Sequence, residues 1–248
     1  MAAELTFDEL LALAEESDDV LGLYLFGSRG RQLMVDERSD WDVCVVLRDD
    51  EALGRFDAEY PYVHGARVEI ASTTLTDLRE SGSIGSSSEW GRYAAAHVEV
   101  LVDKTDGEIV RIVEEKEWIP AAERGALVRD ALDAYVNSTY RSLRYGTRLD
   151  ATESLSPALR TIFGLAGRVR PFNKYLDWEL RNHPLEGWDA DTLLRLVDGI
   201  ADGDRAAQHE LFRLVEVSAR EGGFAAVIDS WEPDVAWLRG EVDYRCAR

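Results

Sequence analysis

Two adjoining stretches constrain this chain most. Val20-Leu21-Gly22-Leu23-Tyr24-Leu25-Phe26 is a compact apolar run that stops at Gly27-Ser28-Arg29-Gly30, and Asp42-Val43-Cys44-Val45-Val46-Leu47 is a second run that opens behind Ser39-Asp40-Trp41. Short runs dense in Val, Leu and aromatic residues predict buried β-strands. A strand that ends at Gly-Ser and turns into a short helix offers backbone N–H groups and a hydroxyl to an anion, and phosphate is the natural ligand of such a turn. Asp40 and Asp42 sit two apart as the second strand begins, so their carboxylates project from one face. A divalent cation would relieve their mutual repulsion, and hard oxygen donors select Mg²⁺ or Mn²⁺ over zinc.

Further strands are predicted at Arg67–Ala71 and His97–Val102, the second closed by a turn over Asp103–Gly107. In the former, period two puts Glu69 on the face opposite Val68 and Ile70, which makes Glu69 the best third carboxylate. Ser81–Ser88 is the one low-complexity stretch and reads as a mobile surface loop within the first region, a lid over a ligand being the rarer use of such a loop. After Pro120 the strand signal fades. Ala121–Arg148 has the apolar rhythm of a long amphipathic helix, Ser156-Pro157 reads as an N-cap with proline at N1 opening a helix towards Gly167, and further helices are expected at 171–181, 191–200 and 204–220. The alternation of strands and helices in residues 1–120 and the helical pattern of residues 121–248 predict two domains, with the active site between them.

Composition narrows the function. Among 248 residues, 48 Asp and Glu face 28 Lys and Arg, a net charge of −20. That balance disfavours a nucleic-acid surface, which needs clustered cations. The acidic stretch from Glu4 to Asp19 lacks the basic start of an export signal, and no apolar run approaches the roughly 18 residues of a spanning helix, so no membrane contact is expected and the cytoplasm is the default. Cys44 and Cys246 are far apart and read as plain thiols, and His64, His97, His183 and His209 show no zinc-binding spacing. Trp178 and Trp188 flank a turn and read as packing anchors. Charge is uneven: residues 1–120 carry 27 acids and 11 bases, whereas Arg141–Arg181 carries eight bases and four acids. A local cationic stretch of this kind suits a triphosphate.

Gly27-Ser28, eleven intervening residues, Asp40-x-Asp42 and an acid on a later strand together resemble the nucleotidyltransferase superfamily that includes DNA polymerase β and the antibiotic (aminoglycoside-type) adenylyltransferases. The resemblance covers residues 20–72, and a helical domain after such a core is also similar to the small-molecule adenylyltransferases. It implies an α+β fold: an N-terminal mixed β-sheet catalytic domain flanked by helices, then a C-terminal helical bundle that binds substrate or nucleotide. It further implies that Asp40 and Asp42 bind Mg²⁺, that Glu69 completes the metal site or serves as general base, and that Gly27 and Ser28, with Arg29 beside them, hold the nucleotide. Lys174, one turn beyond Pro171, would reach the β- or γ-phosphate, with Asn173 or Tyr175 lining the base or sugar; its charge reads equally as a solvated helix face. Arg141, Arg144 and Tyr140 share that ambiguity. Glu153 is a second candidate for the base, although an exposed helix residue is its plainer reading.

The implied reaction is Mg²⁺-dependent transfer of AMP from ATP to a hydroxyl of a small cationic acceptor, drawn in by the acidic first domain. Two alternatives stand beside it: modification of a protein partner in a toxin–antitoxin type pair, and a non-catalytic nucleotide-binding module. The sequence is compatible with a homodimer and leaves the acceptor and the nucleobase open.

Overall fold

The computed structural model describes residues 5–33, 35 and 39–243. Cys246 and Glu4 lie outside the described residues. The chain divides into two compact units, Met1–Trp118 and Ile119–Arg248.

In the first unit the elements run α1 (Phe7–Glu16), β1 (Val20–Leu25), α2 (Gly27–Gly30), β2 (Trp41–Leu47), α3 (Asp50–Glu59), β3 (Val68–Thr74), α4 (Leu75–Glu80), a 3-10 helix (Glu89–Ala95), β4 (Glu99–Asp103) and α5 (Glu108–Glu115). The four strands form one mixed sheet in the order β3-β2-β1-β4, with β2 parallel to β3 and β1 antiparallel to both β2 and β4. Period-two alternation splits β2 cleanly. Val43, Val45 and Leu47 pack under Leu10 and Ala14 of α1 and Ala52 and Phe56 of α3, while Cys44 and Val46 pack with Leu78 of α4 and Ile109 of α5. Val20 and Leu23 share the α1/α3 face although they are three apart, which needs the bulge that shifts the β1–β2 register between Val20 and Gly22. At Gly22 a Cβ would strike the Ile109 side chain and the Val102 carbonyl, so glycine lets α5 lie directly on β1. Cys44 is a free, buried thiol, and burial pushes its pKa up to about 12, so it stays protonated and unreactive.

Ser81–Ser88 is a chain of turns with its own hydrogen bonds: Ser83 and Ser86 Oγ donate to the carbonyls of Glu80 and Ser83, at 2.6 and 2.7 Å. Buried Lys116 anchors its start, donating to the carbonyls of Arg79 and Ser81 at 2.8 and 2.6 Å.

The second unit is helical: α6 (Ala121–Tyr145), α7 (Arg148–Leu165), a short 3-10 turn at Asn173–Tyr175, α8 (Leu176–Asn182), α9 (Ala190–Ala201), α10 (Arg205–Glu221), α11 (Ala225–Asp229) and α12 (Val235–Leu238). The two units together make an α+β protein, a helix-flanked mixed sheet followed by a helical region. Trp188 packs on the helical core, whereas the Trp178 ring lies 5.2 Å from that of His183 and joins no core cluster among the described residues.

Ser156-Pro157 does not start a helix. Pro157 lies inside α7, which begins nine residues earlier, where Thr147 caps the N–H of Asp150. An interior proline costs about 3 kcal/mol. α7 nevertheless buries Leu159, Ile162 and Phe163 in the core, each contributing about 1.5–3 kcal/mol, so packing outweighs the break.

Glu216 on α10 is buried and holds Arg220 at 2.8 Å and Arg239 at 2.6 Å, the latter just past α12. Burial alone would raise its pKa, but the hydrogen bonds from Arg239 and Arg220 overcome that and hold it below the usual carboxylate range. A depressed folded-state value stabilises above the unfolded pKa, near 4.5, and that stability is lost as pH falls through the folded value. Glu216→Gln is therefore expected to cost about 3 kcal/mol in urea unfolding at pH 7, with the gap to wild type narrowing as pH falls below the unfolded value of 4.5.

Candidate active site

The end of β1 and the start of β2 are locked together. The Phe26 N–H donates to the Asp42 carbonyl at 3.0 Å, and the chain then turns through Gly27 at φ +64° into α2. A Cβ at Gly27 would fall on the Asp42 carboxylate. Glycine is needed here twice over, for the left-handed backbone and for the carboxylate against it. Ser28 follows at once, so a serine is the next residue after the glycine that the Asp42 carboxylate abuts.

Arg31, which the sequence reading passed over, fixes this turn from behind. Its guanidinium is buried and donates to the carbonyls of Gly27 at 3.1 Å, Tyr93 at 2.7 Å and Ala96 at 2.6 Å. A buried arginine with two of its three acceptors more than 60 residues away leaves little local trace in the sequence.

Arg29 points at backbone. Its Nε donates to the Asp40 carbonyl and its Nη2 to the Ser39 carbonyl, both at 2.8 Å, and the guanidinium lies 4.0 Å from the centre of the Trp41 ring. Trp41 in turn stacks on Phe7 at 3.8 Å. Arg29, expected on the nucleotide, thus holds the segment that carries Asp40. Groups that orient a metal ligand are worth about 10–100-fold in affinity. Were Asp40 to hold a divalent ion, Arg29→Met would weaken Mn²⁺ binding, followed by electron paramagnetic resonance, by about tenfold or more.

Asp40 directly precedes β2, and Asp42 is its second residue. In the parallel pairing Asp42 lies opposite Glu69 and Cys44 opposite Ala71, so Glu69 shares the Asp42 face and stands opposite to Val68 and Ile70, which pack on the α1/α3 core. Glu69 is buried, and its carboxylate is already engaged. One oxygen accepts the Gly65 N–H at 2.5 Å and lies 3.3 Å from His64 Nδ1, and the other accepts the Tyr62 hydroxyl at 2.8 Å. Burial would raise its pKa, but these donors and the neighbouring imidazole hold it below the ordinary range. The Tyr62 phenol has its pKa raised, first by the hydrogen bond to Glu69, then by desolvation, and then by the negative charges of Glu69, Asp42 and Asp40. All three carboxylates therefore bear on one hydroxyl.

The expected three-carboxylate metal cage is not formed: among the described residues no three His, Cys, Asp or Glu side chains are disposed to hold a metal ion. The reason is local, since the loop between α3 and β3 supplies Glu69 with protein donors. Asp40 and Asp42 remain a fitting pair for a divalent ion that takes two carboxylates from the protein and completes its shell from phosphate and water, which is how Mg²⁺ is commonly held.

In the second unit the cationic stretch is largely spent on carboxylates. Arg141 pairs with Asp150 at 2.8 Å, Arg148 with Asp202 at 3.4 Å, Arg181 with Asp177 and Asp191 at 2.8 and 2.9 Å, and Arg168 with buried Glu179. Arg144 donates to the Tyr140 hydroxyl at 2.8 Å. Lys174 is exposed, with its Nζ 4.7 Å from the Tyr175 ring centre, and Glu153 is an exposed residue of α7. Arg170 donates to the Asn173 carboxamide oxygen at 2.5 Å, and its pKa is lowered by burial and by the neighbouring Arg160 guanidinium.

No helix among the described residues is long and apolar enough to cross a membrane. No family profile matches the sequence, and no curated protein matches it. Among solved structures, this chain is similar to a nucleotidyltransferase-like protein from Exiguobacterium sibiricum 255-15, at 11% identity over 93% of this chain and 80% of that one, with a TM-score of 0.38.

Proposed function

We propose that this protein is a nucleotidyltransferase that moves AMP from ATP to a hydroxyl group with Mg²⁺ or Mn²⁺ and releases pyrophosphate. The observation that carries this reading is the Gly27–Ser28 turn at the end of β1, built directly against the Asp42 carboxylate with Asp40 one residue ahead of β2. A turn that offers a hydroxyl to phosphate beside two hard carboxylates is a combination suited to phosphoryl chemistry.

In this reading Ser28 and the Gly27–Ser28 peptide hold the triphosphate, and Asp40 and Asp42 hold the divalent ion. That ion, when bound, supplies charge neutralisation on the α-phosphate and on the departing pyrophosphate. Arg29 keeps Asp40 in place through the backbone, and Arg31 keeps the Gly27 carbonyl turned inward. Glu69, held ionised by its donors, is the base that takes the proton of the acceptor hydroxyl. The first unit carries 27 acids against 11 bases and so concentrates cations near it, which favours a small polycationic acceptor such as an amino sugar. Incubation with Mg²⁺, ATP and a panel of amino sugars is expected to release pyrophosphate in a metal-dependent way. Release that proceeds equally well in EDTA would contradict the mechanism, and silence across the panel would remove the amino sugars as acceptors.

A second acceptor class, a protein hydroxyl, is favoured by the Tyr62 phenol, which already sits on Glu69.

A further inference from the structure

The α3–β3 loop brings a tyrosine hydroxyl onto the carboxylate that lies opposite Asp42 in the sheet. The Tyr62 hydroxyl donates to Glu69 Oε2 at 2.8 Å, and Glu69 is the register partner of Asp42. Yet the side chain is not buried to serve the core: Tyr62 is 58% exposed. Its neighbour Tyr60 behaves differently, with its ring packed on Phe56 at 5.1 Å and its hydroxyl on Glu59 at 2.9 Å, away from Glu69. A structural tyrosine buries its ring and uses the hydroxyl to satisfy a core group. Tyr62 does the reverse, placing a solvated ring with its oxygen in hydrogen-bond contact with the Glu69 carboxylate. General-base transfer needs donor and acceptor within about 2.6–3.2 Å, and this pair already satisfies that distance.

We infer that Tyr62 is itself a nucleotidylation site, modified by its own chain. This rests on the transferase reading above and goes beyond it by naming a phenol as an acceptor. In the step, the Tyr62 oxygen bonds to the α-phosphorus of ATP as the bond from that phosphorus to the bridging oxygen of pyrophosphate breaks. Pyrophosphate departs with the electron pair, and the phenolic proton passes to Glu69 and from there to water. The product is a phosphodiester between the tyrosine oxygen and the adenosine 5′ position. It removes the Tyr62 donor from Glu69 and fills the acceptor position with a bulky anion, so the modified chain would transfer poorly to any second acceptor.

The test uses the purified full chain with Mg²⁺ and ATP radiolabelled at the α-phosphate, and no added acceptor. The expected result is one AMP per chain, mapped by tandem mass spectrometry to Tyr62, at a fractional rate independent of protein concentration. Tyr62→Phe should fall to background, while Tyr60→Phe should label like wild type. A readout free of turnover accompanies this. Tetranitromethane should nitrate Tyr62 in the free protein, and a non-hydrolysable ATP analogue with Mg²⁺ should protect it. An adduct on another residue, or label that persists in Tyr62→Phe, overturns the inference. Metal-dependent ATP binding without any adduct also overturns it and leaves the transferase reading intact, whereas failure of ATP to bind with metal overturns both.

Discussion

Gly27→Val is expected to abolish metal-dependent ATP binding, a loss of about 100-fold or more, in a protein that still folds. Two physical effects act at this one position. The backbone is left-handed at φ +64°, which costs a β-branched residue about 1–2 kcal/mol. The added carbon also lands on the Asp42 carboxylate, which must swing away from the turn. The first effect lowers stability alone, whereas the second lowers both stability and binding, so the two are separable. A double-mutant cycle does this: the stability cost of Gly27→Ala should shrink in an Asp42→Ala background, where the carboxylate is absent, and the part that remains is the backbone cost. If the cost is identical in both backgrounds, the contact between the turn and Asp42 is not the reason for the glycine. Thermal unfolding and equilibrium dialysis with ATP supply the two readouts.

Much of the first unit is legible because its strands are short, apolar and bounded by turns. The strand beginnings expected at Val20 and Asp42 lie at or within a residue of those found, and the expected side of Glu69 follows from period two and holds in the structure. The helical elements were less readable where local signals misled. Ser156-Pro157 imitates a helix start, yet the cap is Thr147, and only the packing of α7 on its neighbours explains a proline inside it. α11 and α12 are one turn each, too short for an amphipathic period to register.

The site divides in the same way. Gly27, Ser28, Asp40 and Asp42 are readable because their spacing along the chain carries the geometry. Arg31 and Tyr62 were not, since each acts through a contact that the fold creates, Arg31 on carbonyls of the segment before β4 and Tyr62 on a carboxylate in the next strand. Arg29 lies in between. Its position beside the turn was plain, but its acceptors are the Ser39 and Asp40 carbonyls. Hydrogen-bond direction is not written in composition or spacing.

Asp42→Asn should lower the nucleotidyl-transfer rate by at least about 100-fold, because a ligand should matter no less than the groups that orient it. Asparagine keeps the shape of the side chain against Gly27, so the turn itself should persist and the loss should appear in turnover and metal-dependent binding. A purely structural Asp42 would give the other pattern, with stability falling and any nucleotide binding following it down.

The central claim is that Asp40 and Asp42 hold a divalent ion against the phosphates of a nucleotide at the Gly27–Ser28 turn. Isothermal titration of ATP into wild type and into the Asp40→Asn plus Asp42→Asn protein, each with Mg²⁺ and with EDTA, tests it most directly. The account predicts ATP binding by wild type in Mg²⁺ alone, and none by the double variant in either condition. Equal affinity with and without metal, or undiminished binding by the double variant, would contradict it.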